Sequence, residues 1–140
     1  MADSRTVADV MTKDPETVDP NDQLLNAEQL MNNHRFRHLP VVDDDGLLVG
    51  VLSQRDLFHS ALLKCAGFGQ HGVDKLLDMF LVKEAMKTDI VSITPDAPLS
   101  SAAELMLERK LGCLPVLDGD RLVGILTESD FVRLAAQLDD

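Results

Sequence analysis

Apolar residues fall into two rhythms along this chain, and the pair of rhythms is written twice. Leu24, Ala27, Leu30 and Met31 recur at helical spacing, as do Leu99, Ala102 and Met106, which predicts an amphipathic helix at each place with one face on a core. Each is followed by a short apolar, β-branched run, HLPVV from His38 and CLPVL from Cys113. Turn residues come next, DDDG or DGD, and then a second apolar run, LLVGVLS or RLVGILT, so each place reads as a β-hairpin. A brief strand precedes each helix, TV at Thr17 and Val18 and SI at Ser92 and Ile93, stopped by a proline two residues on. A last helix begins at Gln54 or Glu128. The unit is β-α-β-β-α, and the chain contains it twice.

Residues 7–58 lie on residues 82–132 with a single one-residue gap, the signature of an internal repeat. Met11 falls on Met86, Pro20 on Pro95, Leu30-Met31 on Leu105-Met106, Leu39-Pro40-Val41 on Leu114-Pro115-Val116, and Asp56 on Asp130. A copy of about fifty residues buries little core alone, so the two copies are expected to pack face to face around a pseudo-twofold axis as one compact α/β (α+β) module. The predicted organisation is a first repeat over 7–63, a connector over 64–81 and a second repeat over 82–138. Within the connector, Gly67, Gly69 and Gly72 read as flexible, and Val73, Leu76, Leu77 and Phe80 predict a short amphipathic helix that covers core or meets a second subunit.

Composition narrows the functional classes. With 45% hydrophobic and 26% charged residues the 140-residue chain reads as a globular protein, and no run approaches the roughly 18 apolar residues of a membrane helix. The opening residues lack the basic end and apolar stretch of a signal peptide, so the expected location is cytoplasmic. A net charge of −11 argues against nucleic acid and anionic membranes as partners. Cys65 and Cys113 have neither metal-ligand nor disulfide-framework spacing, and Cys113 sits in an apolar run that reads as core. His34, His38, His59 and His71 form no compact metal motif, and no phosphate-binding glycine loop or nucleophile signature is present. Neither a resident metal nor catalysis is therefore expected.

What remains is the phrase GVLSQRDLF and its echo GILTESDFV. Taking Ser53 or Thr127 as a helix cap, Asp56 or Asp130 stands at the third helical position, which makes a capping box, with Leu52 and Leu57, or Leu126 and Phe131, as its hydrophobic staple. Such a cap stabilises a helix by about 1 kcal/mol and needs no ligand to explain it. The same helix start also presents unpaired N–H groups and a positive dipole end to a phosphate, while a carboxylate one turn in suits the paired hydroxyls of a ribose. Both readings stand on the local pattern.

The tandem arrangement of HLPVVD or CLPVLD with GVLSQRD or GILTESD resembles a pair of CBS domains, the module named after cystathionine β-synthase. The resemblance covers nearly all of the chain outside the connector. It implies a Bateman module that often dimerises and, in many relatives, binds adenine nucleotides in clefts between the repeats. By that resemblance Ser53 with Asp56, and Thr127 with Asp130, hold phosphate and ribose. Thr17 and Val18, with Ser92 and Ile93, would meet the adenine, and His38 and Cys113 would face the cleft.

The two copies differ in charge. Arg35, Arg37, His38 and Arg55 surround the first phrase, whereas Gly112 and Cys113 stand at the places of Arg37 and His38 in the second, and Glu128 adds a carboxylate there. Guanidinium groups suit phosphates and a carboxylate repels them. The Ser53 and Asp56 site is thus expected to take a phosphorylated adenosine such as AMP, ADP or ATP. The Thr127 and Asp130 site is expected to be empty, weaker, or selective for adenosine or S-adenosylmethionine. The expected function is regulatory sensing of an adenine nucleotide, signalled by a change of shape or association to a regulated protein or within a homodimer. The alternative is a ligand-free scaffold for dimerisation or partner docking.

Overall fold

The structure, a computed structural model, describes residues 5–64, 75 and 77–138. Cys65, Gly67, Gly69, His71, Gly72, Val73 and Leu76 of the connector lie outside the described residues. Of the expected connector helix, Lys75 and Leu77 to Met79 are helical. Leu77 is buried and Phe80 packs beside it, so this segment covers core.

In chain order the elements are α1 (Val7–Val10), β1 (Thr12–Lys13), α2 (Leu24–His34), β2 (His38–Val42), β3 (Leu48–Ser53), α3 (Gln54–Lys64), a 3-10 turn (Val82–Glu84), α4 (Leu99–Arg109), β4 (Cys113–Asp118), β5 (Arg121–Thr127) and α5 (Glu128–Ala136). They form two compact units, residues 16–90 and residues 1–15 with 91–140.

In the first unit β2 and β3 make an antiparallel hairpin in which His38 faces Ser53 and Val41 faces Gly50. Leu24, Ala27 and Met31 of α2, Leu39 and Val41 of β2, Leu52 and Leu57 form its buried core together with Val18, Leu77 and Val82. In the second unit the sheet order is β1-β5-β4, with Cys113 facing Thr127. Its core joins Leu99, Ala102 and Met106 of α4 to Leu114, Val116, Leu126 and Val7. Both helical faces expected from spacing are therefore the buried ones. Each long helix ends at a residue with left-handed backbone, Arg35 at φ 59° and Lys110 at φ 56°, whose N–H closes on the carbonyl of Met31 or Met106.

The brief first strand of each repeat contracts to one parallel bridge, Val18 with Val41 and Ile93 with Val116. Prolines dictate this length. Val18 donates to the Pro40 carbonyl at 3.1 Å and accepts from Val42 at 2.9 Å. The next bond forward would need an N–H on Pro20, and the next one back would need an N–H on Pro40. Ile93 stands in the same trap between Pro95 and Pro115, bonded to the Pro115 carbonyl at 3.1 Å and to Leu117 at 2.9 Å.

The leading segment of each repeat packs in the unit of the other repeat. Val7 is fully buried in the core built by the second repeat, and Val82 is fully buried in the core built by the first. Thr12 and Lys13 pair with Ile125 and Gly124, while Lys87 exchanges two backbone bonds with Val51, at 2.9 and 3.0 Å. A fifty-residue repeat has too little apolar surface to close its own core, and a short strap from the other repeat helps to close it.

Candidate ligand site

Two sets of the predicted residues assemble, one inside each unit. In the first, β3 delivers Ser53 to the start of α3, and Ser53 Oγ accepts from the Asp56 N–H at 3.0 Å. The Gln54 N–H donates to the Arg37 carbonyl at 2.7 Å, so the chain entering β2 is tied to the first turn of α3. Register places half-buried His38 directly across from Ser53. Arg37, just before β2, and Arg55, in the first turn of α3, are exposed, as is Arg35 at the end of α2. Thr17 is half-buried, whereas Val18 is buried with both backbone groups spent in its bridge. The Asp56 side chain keeps 22% of its surface exposed and lies 3.9 Å from Lys87 Nζ. Lys87 belongs to the second repeat by sequence, and only the docking of its strap brings it here.

In the second unit Asp130 reaches back to the residue that starts α5. The Thr127 N–H donates to Asp130 Oδ2 at 2.9 Å, and the Thr127 hydroxyl reaches the same oxygen at 3.3 Å. Thr12 Oγ1 donates to Asp130 Oδ1 at 3.3 Å, and the Arg133 guanidinium binds that oxygen as well. Asp130 is 3% exposed, the one buried charged residue among those described. The Glu128 side chain is exposed, and its N–H donates to the Gly112 carbonyl at 3.3 Å. Ser92 is exposed and Ile93 packs on the core with its backbone bonded.

A cavity of about 290 Å³ opens beside Asp130 between α1 and α5, lined among others by Arg5, Asp9, Thr12, Arg133 and Gln137. Asp9 accepts from the Thr6 N–H at 2.9 Å, which holds its carboxyl below the usual carboxylate range. Two arginines and two carboxylates therefore balance in charge around this cavity.

Cys113 is 8% exposed and makes no opening for chemistry, since burial pushes its thiol from 9.0 up to about 12. The folded chain keeps a proton that the unfolded chain releases above pH 9, so this contribution to stability is full below pH 9 and fades as pH rises towards 12. In a Cys65→Ser variant, alkylation of the remaining thiol is expected to be slow in mildly alkaline buffer and fast in denaturant. Rapid labelling of the folded variant would place Cys113 at the surface instead.

Three partners of the site carboxylates escaped sequence reasoning. Arg133 stands one turn beyond Asp130 and was legible as an i,i+3 pair. Thr12 and Lys87 were not, because a strap assigned to its own repeat in sequence serves the other repeat in space. Among the described residues, no group of three or more His, Cys, Asp or Glu side chains could hold a metal ion, and no helix is long and apolar enough to cross a membrane.

Comparison with known proteins gives these features a family. The model of the CBS domain matches residues 7–62 and 82–137. The crystal structure of AcuB from Vibrio cholerae is 39% identical with a TM-score of 0.81, covering 96% of this chain and 92% of that one. The CBS domain pair of protein MJ0100, in complex with 5′-methylthioadenosine and S-adenosyl-L-methionine, is 27% identical with a TM-score of 0.78, covering 96% and 98%. CBSX2 in complex with AMP is 32% identical with a TM-score of 0.77, also covering 96% and 98%. The curated relative YhcV of Bacillus subtilis is 34% identical over 89% of this chain and 81% of its own length. By contrast the chain spans 24% of the homoserine O-acetyltransferase of Methanococcoides burtonii, to which it is 32% identical. With the same prolines, hairpin and helix cap traced in each half and one family model falling on both, the chain belongs to the CBS domain family and carries that domain twice.

Proposed function

We propose that this CBS pair is a regulatory module that binds an adenosine-containing ligand, and that the set around Ser53 and Asp56 is its principal site. The observation that carries the choice is the state of the two carboxylates. Asp56 keeps 22% of its side chain exposed beside a single lysine at 3.9 Å, whereas the Asp130 side chain keeps 2% and is held by Thr127, Thr12 and Arg133. A ribose can reach Asp56 without first breaking a buried network. Reaching Asp130 means displacing several donors, which costs more than most ligand hydroxyls return.

In this reading Asp56 accepts from the ribose hydroxyls, and the first turn of α3 with Ser53, Arg37 and Arg55 faces the phosphate. Thr17 and His38 border the base. Two relatives support the ligand class, MJ0100 with its adenosyl compounds and CBSX2 with AMP. Regulation then follows from differential affinity for two states, typically about 1–3 kcal/mol. Its readout is a partner protein or a second copy of this chain.

Titration calorimetry tests the assignment. AMP is expected to bind the wild-type chain, and Asp56→Ala is expected to weaken it about tenfold, near 1.4 kcal/mol, the scale of hydrogen bonds to a charged group. Loss of AMP binding in Asp130→Ala with retention in Asp56→Ala would move the site to the other unit. No binding and no rise in melting temperature with AMP, ADP, ATP, adenosine or S-adenosylmethionine would leave the ligand-free scaffold as the function.

A further inference from the structure

The position that follows the half-buried methionine of each strap touches the site carboxylate of the unit in which that strap is docked, and the two copies differ there in charge. Thr12, after Met11, donates to Asp130 at 3.3 Å. Lys87, after Met86, stands 3.9 Å from Asp56. Their main chains are held alike. Thr12 pairs with Ile125 in the β1–β5 ladder, and Lys87 exchanges two hydrogen bonds with Val51. The backbone thus sets where the side chain starts, and the side chain alone distinguishes the copies.

We infer that Lys87 is the charge selector of the Asp56 site, favouring a phosphorylated adenosine over adenosine itself. The inference rests on the proposed reading of that site. Lys87 has three properties that a selector needs. Its side chain is 70% exposed, so it is free to swing between a carboxylate and an arriving anion. Its contact with Asp56 is at the long limit of an ion pair and open to water, so little is lost when ribose hydroxyls take the carboxylate over. An ammonium released from Asp56 at that moment lies beside the ligand, where a phosphate offers it a stronger, charge-assisted partner. Thr12 can do none of this. Its hydroxyl is short and neutral, and it is committed to a buried carboxylate.

Lys87 is therefore a positioning and specificity residue rather than a scaffold residue, and its replacement should change discrimination more than affinity for the nucleoside. The test is calorimetric titration of the full chain with AMP and with adenosine, for wild type, Lys87→Thr and Lys87→Arg, at two salt concentrations. Lys87→Thr is expected to weaken AMP about tenfold and to change adenosine less than about twofold, with a smaller salt dependence for AMP. Lys87→Arg is expected to keep the preference for AMP. Equal weakening of both ligands, unchanged AMP affinity in Lys87→Thr, or a wild-type chain that prefers adenosine would overturn the inference while leaving an adenosine site in place. A wild-type chain that binds neither compound overturns the inference together with the proposed function. Melting temperatures of the variants within a degree or two of wild type, as expected for so exposed a side chain, separate lost contact from lost fold.

Discussion

Replacing Asp130 with alanine is expected to destabilise the protein by about 3–4 kcal/mol, several times the effect of the same change at Asp56. The two aspartates occupy the same place in the repeat, so the difference has to come from their surroundings. Asp130 is 3% exposed and takes hydrogen bonds from the backbone and hydroxyl of Thr127, from Thr12 and from Arg133. Its removal loses the helix cap, strands the Thr127 N–H and the Thr12 hydroxyl in a partly buried place, and leaves the Arg133 guanidinium without its partner. Arg133 is 64% exposed and recovers water, which keeps the loss below that of a fully buried ion pair. Asp56 gives up a favourable charge in the first turn of α3 and a screened contact with Lys87, about 1 kcal/mol, while its backbone N–H keeps the bond to Ser53 Oγ. Urea unfolding of the two variants checks the contrast. A Thr12→Val change should cost about 1 kcal/mol alone and much less on top of Asp130→Ala, since the two groups serve one network. Equal costs for the two alanine variants would show that Asp130 is no more engaged than Asp56.

The same contrast shows where reading the sequence succeeds. The caps, the hairpin turns and the two helical faces are local, and each is written by residues within a few positions of one another: Thr127 and Asp130 in a capping box, Gly46 at φ 80° and Gly119 at φ 64° in the turns, Leu24, Ala27 and Met31 along one helix face. The single-residue bridges at Val18 and Ile93 were legible too, had the missing N–H groups of Pro20, Pro40, Pro95 and Pro115 been counted. The surroundings of the carboxylates were a different matter. Val7 and Met11 repeat as Val82 and Met86, so either strap presents much the same apolar shape to either unit, and nothing local says which core it closes. That choice is made by tertiary packing between residues far apart in the chain, 118 positions for Thr12 and Asp130, a separation at which sequence periodicity carries no signal. It also moves one lysine and one threonine between sites. Counting charges repeat by repeat therefore found the exposed arginines of the first repeat and missed Lys87, and in the second it weighed Glu128 against a phosphate without weighing Arg133 for Asp130.

Substituting Gly50 with alanine is expected to cost about 2–3 kcal/mol and to weaken AMP binding as well, because this glycine is the floor on which the strap lies. A Cβ at Gly50 would stand 2.6 Å from Met86 Sδ and 2.9 Å from the Lys87 carbonyl oxygen. The methionine can move, since an unbranched thioether has several rotamers to offer. The carbonyl cannot move so easily, because it accepts from the Val51 N–H at 3.0 Å while Lys87 donates back at 2.9 Å. Relief of the clash lifts Lys87 off β3, breaks that pair of bonds and carries the Lys87 ammonium away from Asp56. A Met86→Ala change in the same chain therefore restores only part of the lost stability and leaves AMP binding weak. Gly124 meets the Thr12 carbonyl at the same 2.9 Å, with Met11 above it, so Gly124→Ala should cost as much in stability. It should leave AMP affinity at the Asp56 site near wild type, because the strap it displaces serves Asp130. Full rescue of Gly50→Ala by Met86→Ala, in melting temperature and in AMP affinity together, would show that the sulfur and not the backbone sets the fit. The glycine that opens each copy of the repeated phrase would then be a packing choice, with no part in delivering residue 87 to its carboxylate.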